Sequence, residues 1–142
     1  MRILGIDFGE KRIGLALSDP LGLTAQGIDT LLRVNKNQCL EALLKLCEEH
    51  GVKEIVIGLP MNMNGSVGPK AKEVLELVPE LEKALHRPVK TWDERLTSLE
   101  ADRLMIEQGL SRKKRKNQSD RLAATLILQS YLQSRKFGQN KE

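Results

Sequence analysis

The chain has 142 residues, 40% of them hydrophobic and 30% charged, with 23 basic and 19 acidic side chains and a formal net charge of +4. A chain of this size buries roughly 70% of the surface it exposes when unfolded, and the composition is that of a globular domain rather than a disordered segment. No apolar run approaches the ~20 residues of a membrane span, the first apolar run meets Asp7 too early for a signal peptide, and Cys39 and Cys47 are too few for a disulfide framework; a cytoplasmic protein is expected.

Ile3 to Phe8 reads as a buried strand and Lys11 to Ser18 as a second. The short turn at Gly9-Glu10 makes them an antiparallel hairpin. Thr24 to Leu32 adds a third strand after the turn at Asp19-Pro20-Leu21-Gly22. The period then changes. Leu40, Leu43, Leu44 and Cys47 form the stripe of an amphipathic helix that ends at His50-Gly51. Glu54 to Leu59 is a short buried strand, and Pro60 to Gly68 a loop. Val74, Leu77, Val78, Leu81 and Leu85 mark a second helix, with a kink or break expected at Pro79. Val89 to Trp92 is the last strand. Thr97-Ser98-Leu99-Glu100 is a capping box opening a helix that runs to Gly109. Leu122 to Leu132 is a final helix, apolar on most sides and therefore buried. This order predicts an α/β fold: a mixed sheet, antiparallel in its first three strands and parallel in the later ones, flanked by helices.

Charge is unevenly spread. Residues 1–110 carry 14 basic and 17 acidic side chains, whereas residues 111–142 carry 9 and 2. A basic end on a near-neutral body suggests a polyanion such as nucleic acid, although a solvated face gives the same pattern. With only Phe8, Trp92, Tyr131 and Phe137 as aromatics, a surface that stacks successive bases is not expected.

Three acidic residues sit where packing does not ask for them. Asp7 lies in a strand among Ile3, Leu4, Ile6 and Phe8, where a charge costs several kcal/mol unless paired or metal-bound; an ion pair to Lys11 or Arg12 is the plain alternative. Glu94 follows the last strand, where sites gather in open α/β sheets, and where a helix start also favours acids. Asp120 opens the final helix, where a cap is its plain reading. If the three converge, they are an oxygen-ligand set for Mg²⁺ or Mn²⁺, and a pair of such ions hydrolyses phosphodiesters. His50 and His86 end helices, the cysteines lack zinc spacing, and neither a serine-nucleophile nor a Walker motif is present.

Gly5-Ile6-Asp7-Phe8-Gly9-Glu10-Lys11-Arg12-Ile13-Gly14-Leu15-Ala16, then Val56-Ile57-Gly58-Leu59-Pro60 with Asn64-Gly65, then Asp93 to Ser98, then Arg112 to Lys116 with Asp120-Arg121-Leu122-Ala123-Ala124, resemble in order the blocks of the YqgF (RuvX-like) family. The resemblance covers almost the whole chain. It implies one ribonuclease H-like nuclease domain over residues 1–138, with a short polar tail at 139–142. It implies a metal-dependent nuclease of structured RNA or branched DNA, maturing the precursor of small-subunit ribosomal RNA or resolving Holliday junctions, with the ribosome or its precursor as a partner. The family's acidic positions fall on Asp7, Glu94 and Asp120, as catalytic residues and ligands to Mg²⁺ or Mn²⁺. Gly9, Lys11, Arg12, Asn62, Asn64, Gly65, Arg95, Ser98, Arg112, Lys113, Lys114, Arg115 and Lys116 are the expected nucleic-acid contacts. Two other readings stand beside this one. One is a non-catalytic nucleic-acid or ribosome-assembly binder, which the basic segment fits equally well. The other is a nucleotide-binding module, whose strand-Asp-Gly-strand opening is similar.

Overall fold

The computed structural model describes residues 2–95 and 122–135. β1 (Arg2–Phe8) and β2 (Arg12–Ser18) form the expected hairpin, in register from Leu4 opposite Leu17 to Phe8 opposite Ile13. β3 (Ala25–Leu32) continues the antiparallel meander. After α1 (Lys36–His50), β4 (Val52–Leu59) pairs parallel with β1, placing Ile57 beside Ile6. After α2 (Pro69–Leu85), β5 (Val89–Asp93) pairs parallel with β4, placing Trp92 beside Gly58. The sheet order is β3-β2-β1-β4-β5. A helix over residues 122–135, α3, completes the described fold. The mixed sheet is therefore the one the sequence predicts. The helix expected from Thr97 to Gly109 lies outside the described residues.

Side chains alternate across each strand, and the two faces take different helices. Leu4, Ile6, Ile13, Leu15, Ile55 and Ile57 pack against Leu43 and Cys47 of α1 and Val74, Leu81 and Leu85 of α2. Ile3, Ala16 and Val56 face the other way, against Ala124, Ile127, Leu128, Tyr131 and Leu132 of α3. Each large side chain so buried contributes about 1.5–3 kcal/mol. Gly5 lets α3 come close: a Cβ there would stand 2.8 Å from Leu128 Cβ and 3.2 Å from the Ala124 carbonyl.

The helix ends follow local chemistry. Asn35 caps α1 by accepting from the Gln38 N–H at 3.1 Å, and Gly51 closes it at φ 63°. Of the kink or break expected at Pro79, the break does not occur; the helix runs through it from Pro69 to Leu85. Both Pro79 and Leu75, whose carbonyl loses its helical partner to the proline ring, lie on the exposed side, so water can satisfy that carbonyl.

The carboxyl half of α3 is fastened by a buried acid. Glu54, 7% exposed, accepts from the Tyr131 hydroxyl and pairs with Lys90 and Arg135, each at 3.2 Å. Burial raises the Glu54 pKa, but the hydrogen bonds from Tyr131 and Lys90 outweigh it and hold the carboxyl below its ordinary range. Trp92 meets the Tyr131 ring edge-on, with centroids 5.9 Å apart.

Candidate active site

Asp7 shares its face of β1 with Ile3 and Gly5, the face covered by α3. On this face Leu128 lies over Gly5, Ile127 beside Gly58, and Tyr131 against Glu54. Since β4 runs from Glu54 to Gly58, α3 runs antiparallel to it. The first described residues of α3 are thus at the carboxyl edge of the sheet, where Asp7 lies.

Glu94 leaves β5 at the same edge, its N–H directed at the Leu59 carbonyl at 3.3 Å. β4 stands between β5 and β1, yet the Glu94 and Asp7 charges interact. Gly58 makes this possible, because Glu94 Oε2 occupies the space that a Cβ at Gly58 would take. Oε2 is buried and has no hydrogen-bond partner. Burial first, then the negative charges of Asp7 and Asp93, push the Glu94 carboxyl up to about 7, while Lys70 pulls the other way. A carboxylate stripped of water beside another acid is unfavourable by itself, and a shared cation is the usual remedy. Among the described residues no group of three His, Cys, Asp or Glu side chains forms a metal cluster; the third acid of the expected trio, Asp120, lies outside them.

The predicted nucleic-acid contacts fall into three places. Gly9 and Lys11 lie in the β1–β2 turn and Arg12 opens β2, shortly after Asp7. The Gly9 N–H is engaged by the Arg12 carbonyl at 2.9 Å, and a Cβ on Gly9 would lie 2.6 Å from that oxygen. Gly9 therefore supplies tightness, and the turn presents Lys11 and Arg12. Asn62, Asn64 and Gly65 form a self-bonded loop after β4. Asn62 Nδ2 donates to Ser66 Oγ at 2.9 Å, Asn64 Oδ1 accepts from the Ser66 N–H at 3.0 Å, and Gly65 sits at φ 86°. Arg95, next to Glu94, pairs with Asp93 at 2.7 Å and points Nη1 at the Met63 carbonyl at 3.5 Å, tying this loop to the end of β5. Hydrogen bonds from Arg95 hold Asp93 below the usual carboxylate range despite the opposing effect of burial. Ser98 and Arg112 to Lys116 lie outside the described residues.

Sequence reasoning missed two supports. Gly58 stands in one of the blocks that carry the family resemblance and reads, near the end of its strand, with the loop that follows, yet it is a buried residue of β4 itself, over which Glu94 passes. Arg33 shows no pattern at all, yet its guanidinium stacks 3.9 Å from the Phe8 ring, donates to the Gly9 carbonyl at 2.7 Å and pairs with Glu73 at 3.1 Å. Lys70 adds an ion pair to Glu10 at 2.9 Å, so the first turns of α2 hold the hairpin tip at two points. An arginine just past a strand end looks like any solvated cation in sequence.

Comparison with known proteins agrees with this architecture. The RuvX family model, described as Holliday junction resolvase, matches residues 1–134. A Clostridium botulinum (strain Alaska E43 / Type E3) protein named "Putative pre-16S rRNA nuclease" is 54% identical over 132 residues, covering 93% of this chain and 96% of its own length. A protein of the same name from Syntrophomonas wolfei is 51% identical over 140 residues, 99% of each chain. Among solved structures, T. thermophilus RuvC in complex with a Holliday junction substrate superposes with a TM-score of 0.58 at 17% identity, covering 96% of both chains. The fowlpox virus Holliday junction resolvase gives 0.55 at 12% identity, covering 94% of this chain and 99% of that one. At such identities the likeness is one of fold. The family rests on the near-full-length match of sequence, and on that ground the chain belongs to the RuvX family.

Proposed function

We propose that this chain is a divalent-metal-dependent nuclease that hydrolyses phosphodiester bonds in structured nucleic acid, with the precursor of small-subunit ribosomal RNA as substrate. The observation that carries the reading is the Glu94 carboxylate, whose Oε2 is buried without a hydrogen-bond partner in the space over Gly58, the residue that the β1–β4 register sets next to Asp7. An all-oxygen donor set suits a hard cation such as Mg²⁺ or Mn²⁺. Asp7 and Glu94 would hold it, with Asp120 as the proposed third ligand, two residues before the first described residue of α3. When bound, the cation supplies Lewis-acid stabilisation of charge building on the phosphate oxygens.

The chain's own residues do the positioning. Lys11 and Arg12, at the turn beside Asp7, and Lys70, which acts electrostatically on Glu94, put positive charge around the scissile phosphate. The braced loop carrying Asn62, Asn64 and Gly65 offers backbone and amide groups to sugar and phosphate. Arg95, Ser98 and Arg112 to Lys116 take flanking phosphates, giving affinity rather than sequence choice. The names of the full-length relatives support RNA. The proposed setting is the cytoplasm, in keeping with Cys39 and Cys47 as free thiols.

Resolution of four-way DNA junctions is the second reading, favoured by the description of the family model. A non-catalytic binder fits less well, because carboxylates facing a phosphate path repel it unless cations intervene. The test uses the purified chain with a precursor small-subunit rRNA fragment and a four-way DNA junction, with Mg²⁺, Mn²⁺ or chelator. Cation-dependent cleavage of the RNA is expected. Cleavage of the junction alone moves the substrate to the second reading, and tight binding without cleavage of either overturns the nuclease.

A further inference from the structure

β4 lies between β1, which carries Asp7, and β5, which Glu94 follows, and the pairing of Ile6 with Ile57 sets Asp7 next to Gly58, so Glu94 approaches Asp7 only by crossing β4. The crossing point is Gly58, opposite Trp92 in register. A glycine in a central strand usually costs about 0.5–1 kcal/mol relative to alanine. Gly58 is not among the glycines with positive φ, which are Gly22, Gly51 and Gly65 among the described residues, so backbone conformation does not require it. Space does. A Cβ at position 58 would fall on Glu94 Oε2 and come within 2.5 Å of Ile127 Cδ1.

We infer that Gly58 is a positioning residue: its missing side chain is the opening through which Glu94 crosses β4 to reach Asp7. This rests on the reading of Asp7 and Glu94 as cation ligands. The two obstacles to a side chain at 58 are unequal. Ile127 Cδ1 is the tip of a flexible side chain and can be removed by Ile127→Val. The Glu94 carboxylate has nowhere to retreat without leaving Asp7. It follows that position 58 is itself an attachment point: an aspartate there would start its carboxylate from the place Glu94 Oε2 now holds, so the acid can be moved from β5 to β4.

The experiment compares full-length variants by calorimetric titration with Mn²⁺ alone, by cleavage kinetics, and by circular dichroism with thermal unfolding. Ile127→Val serves as the background and should bind Mn²⁺ as the parent does. Adding Gly58→Ala should leave a folded protein whose Mn²⁺ affinity drops about 10–100-fold. Its kcat should fall about 100-fold at unchanged KM, since misplacement of a group by about 1 Å costs that much. Replacing that alanine by aspartate and adding Glu94→Ala, which empties the space over position 58, should restore Mn²⁺ affinity, which a merely structural glycine would not do. Glu94→Asp tests the crossing without touching position 58. One methylene shorter, it keeps the charge but stops short of Asp7, and should lose affinity comparably. Parent-like Mn²⁺ affinity in folded Gly58→Ala/Ile127→Val, or in Glu94→Asp, overturns the inference, as does failure of the folded aspartate variant to regain affinity while Glu94→Gln alone is inactive. If Glu94→Gln alone cleaves at the parent rate, or the parent binds no Mn²⁺, the ligand reading itself has failed and takes the inference with it.

Discussion

Replacing Glu94 by glutamine should stabilise the metal-free protein at neutral and higher pH while destroying its activity. In the folded chain the Glu94 carboxyl is raised from 4.5, its ordinary value, to about 7. Between those values the folded state holds a proton that the unfolded state has released. The contribution to stability is therefore fully present below 4.5 and is lost as pH rises through 7. A tenfold difference in proton affinity between the two states is worth about 1.4 kcal/mol, which bounds the swing near 3 kcal/mol, and partial solvent exposure of the side chain reduces it to about 2 kcal/mol. Glutamine keeps the shape and carries no charge. Urea unfolding in chelator should show the variant within about 0.5 kcal/mol of the parent at pH 5 and about 2 kcal/mol more stable at pH 8. The window is clean on its acid side, because the depressed carboxyls of Glu54, Asp19 and Asp93 lose their contributions only as pH falls through their own lower values. Mn²⁺ should reverse the order by stabilising the parent alone, by about 2.7 kcal/mol at 100 times Kd. Parallel stability profiles for the two proteins from pH 5 to 8 would refute the reasoning.

Asp7→Asn should lower cation-dependent kcat by about 100-fold or more while leaving substrate binding intact, as measured by gel shift and single-turnover cleavage. Neutralising Lys113, Lys114, Arg115 and Lys116 should weaken binding without selecting among sequences. It should flatten the log Kd against log salt plot by about 0.7–0.9 per lost phosphate contact; an unchanged slope counts against the basic segment. Tyr131→Phe should cost about 1 kcal/mol in chemical denaturation with cleavage unaffected, since the Glu54 network lies at the opposite end of β4 from Gly58. Gly5→Ala should cost about 1–3 kcal/mol by forcing Leu128 and α3 away from the sheet, with a matching fall in melting temperature.

Much of the framework is legible from residue order. Ile3-Leu4-Gly5-Ile6 and Ile55-Val56-Ile57 announce strands buried on both faces, and the spacing of Leu40, Leu43, Leu44 and Cys47 announces a helix. Pro79 does not interrupt its helix, because a helix tolerates proline where the orphaned carbonyl reaches water, and exposure is a tertiary property. Asp7 is conspicuous because the residues around it are apolar. Arg33 and Glu54 are not, since their partners are 24 to 81 positions away.

The sequence alone determined which residues are unwelcome where they stand, since a charge in an apolar run is a local contradiction. It also determined the order of strands and helices, because side-chain period is a local property. Where β4 and β5 sit beside the hairpin strands, and which helix covers which face, depended on long-range pairing. Only the folded sheet, by setting β4 between β1 and β5 and leaving Gly58 bare, decided that Asp7 and Glu94 meet.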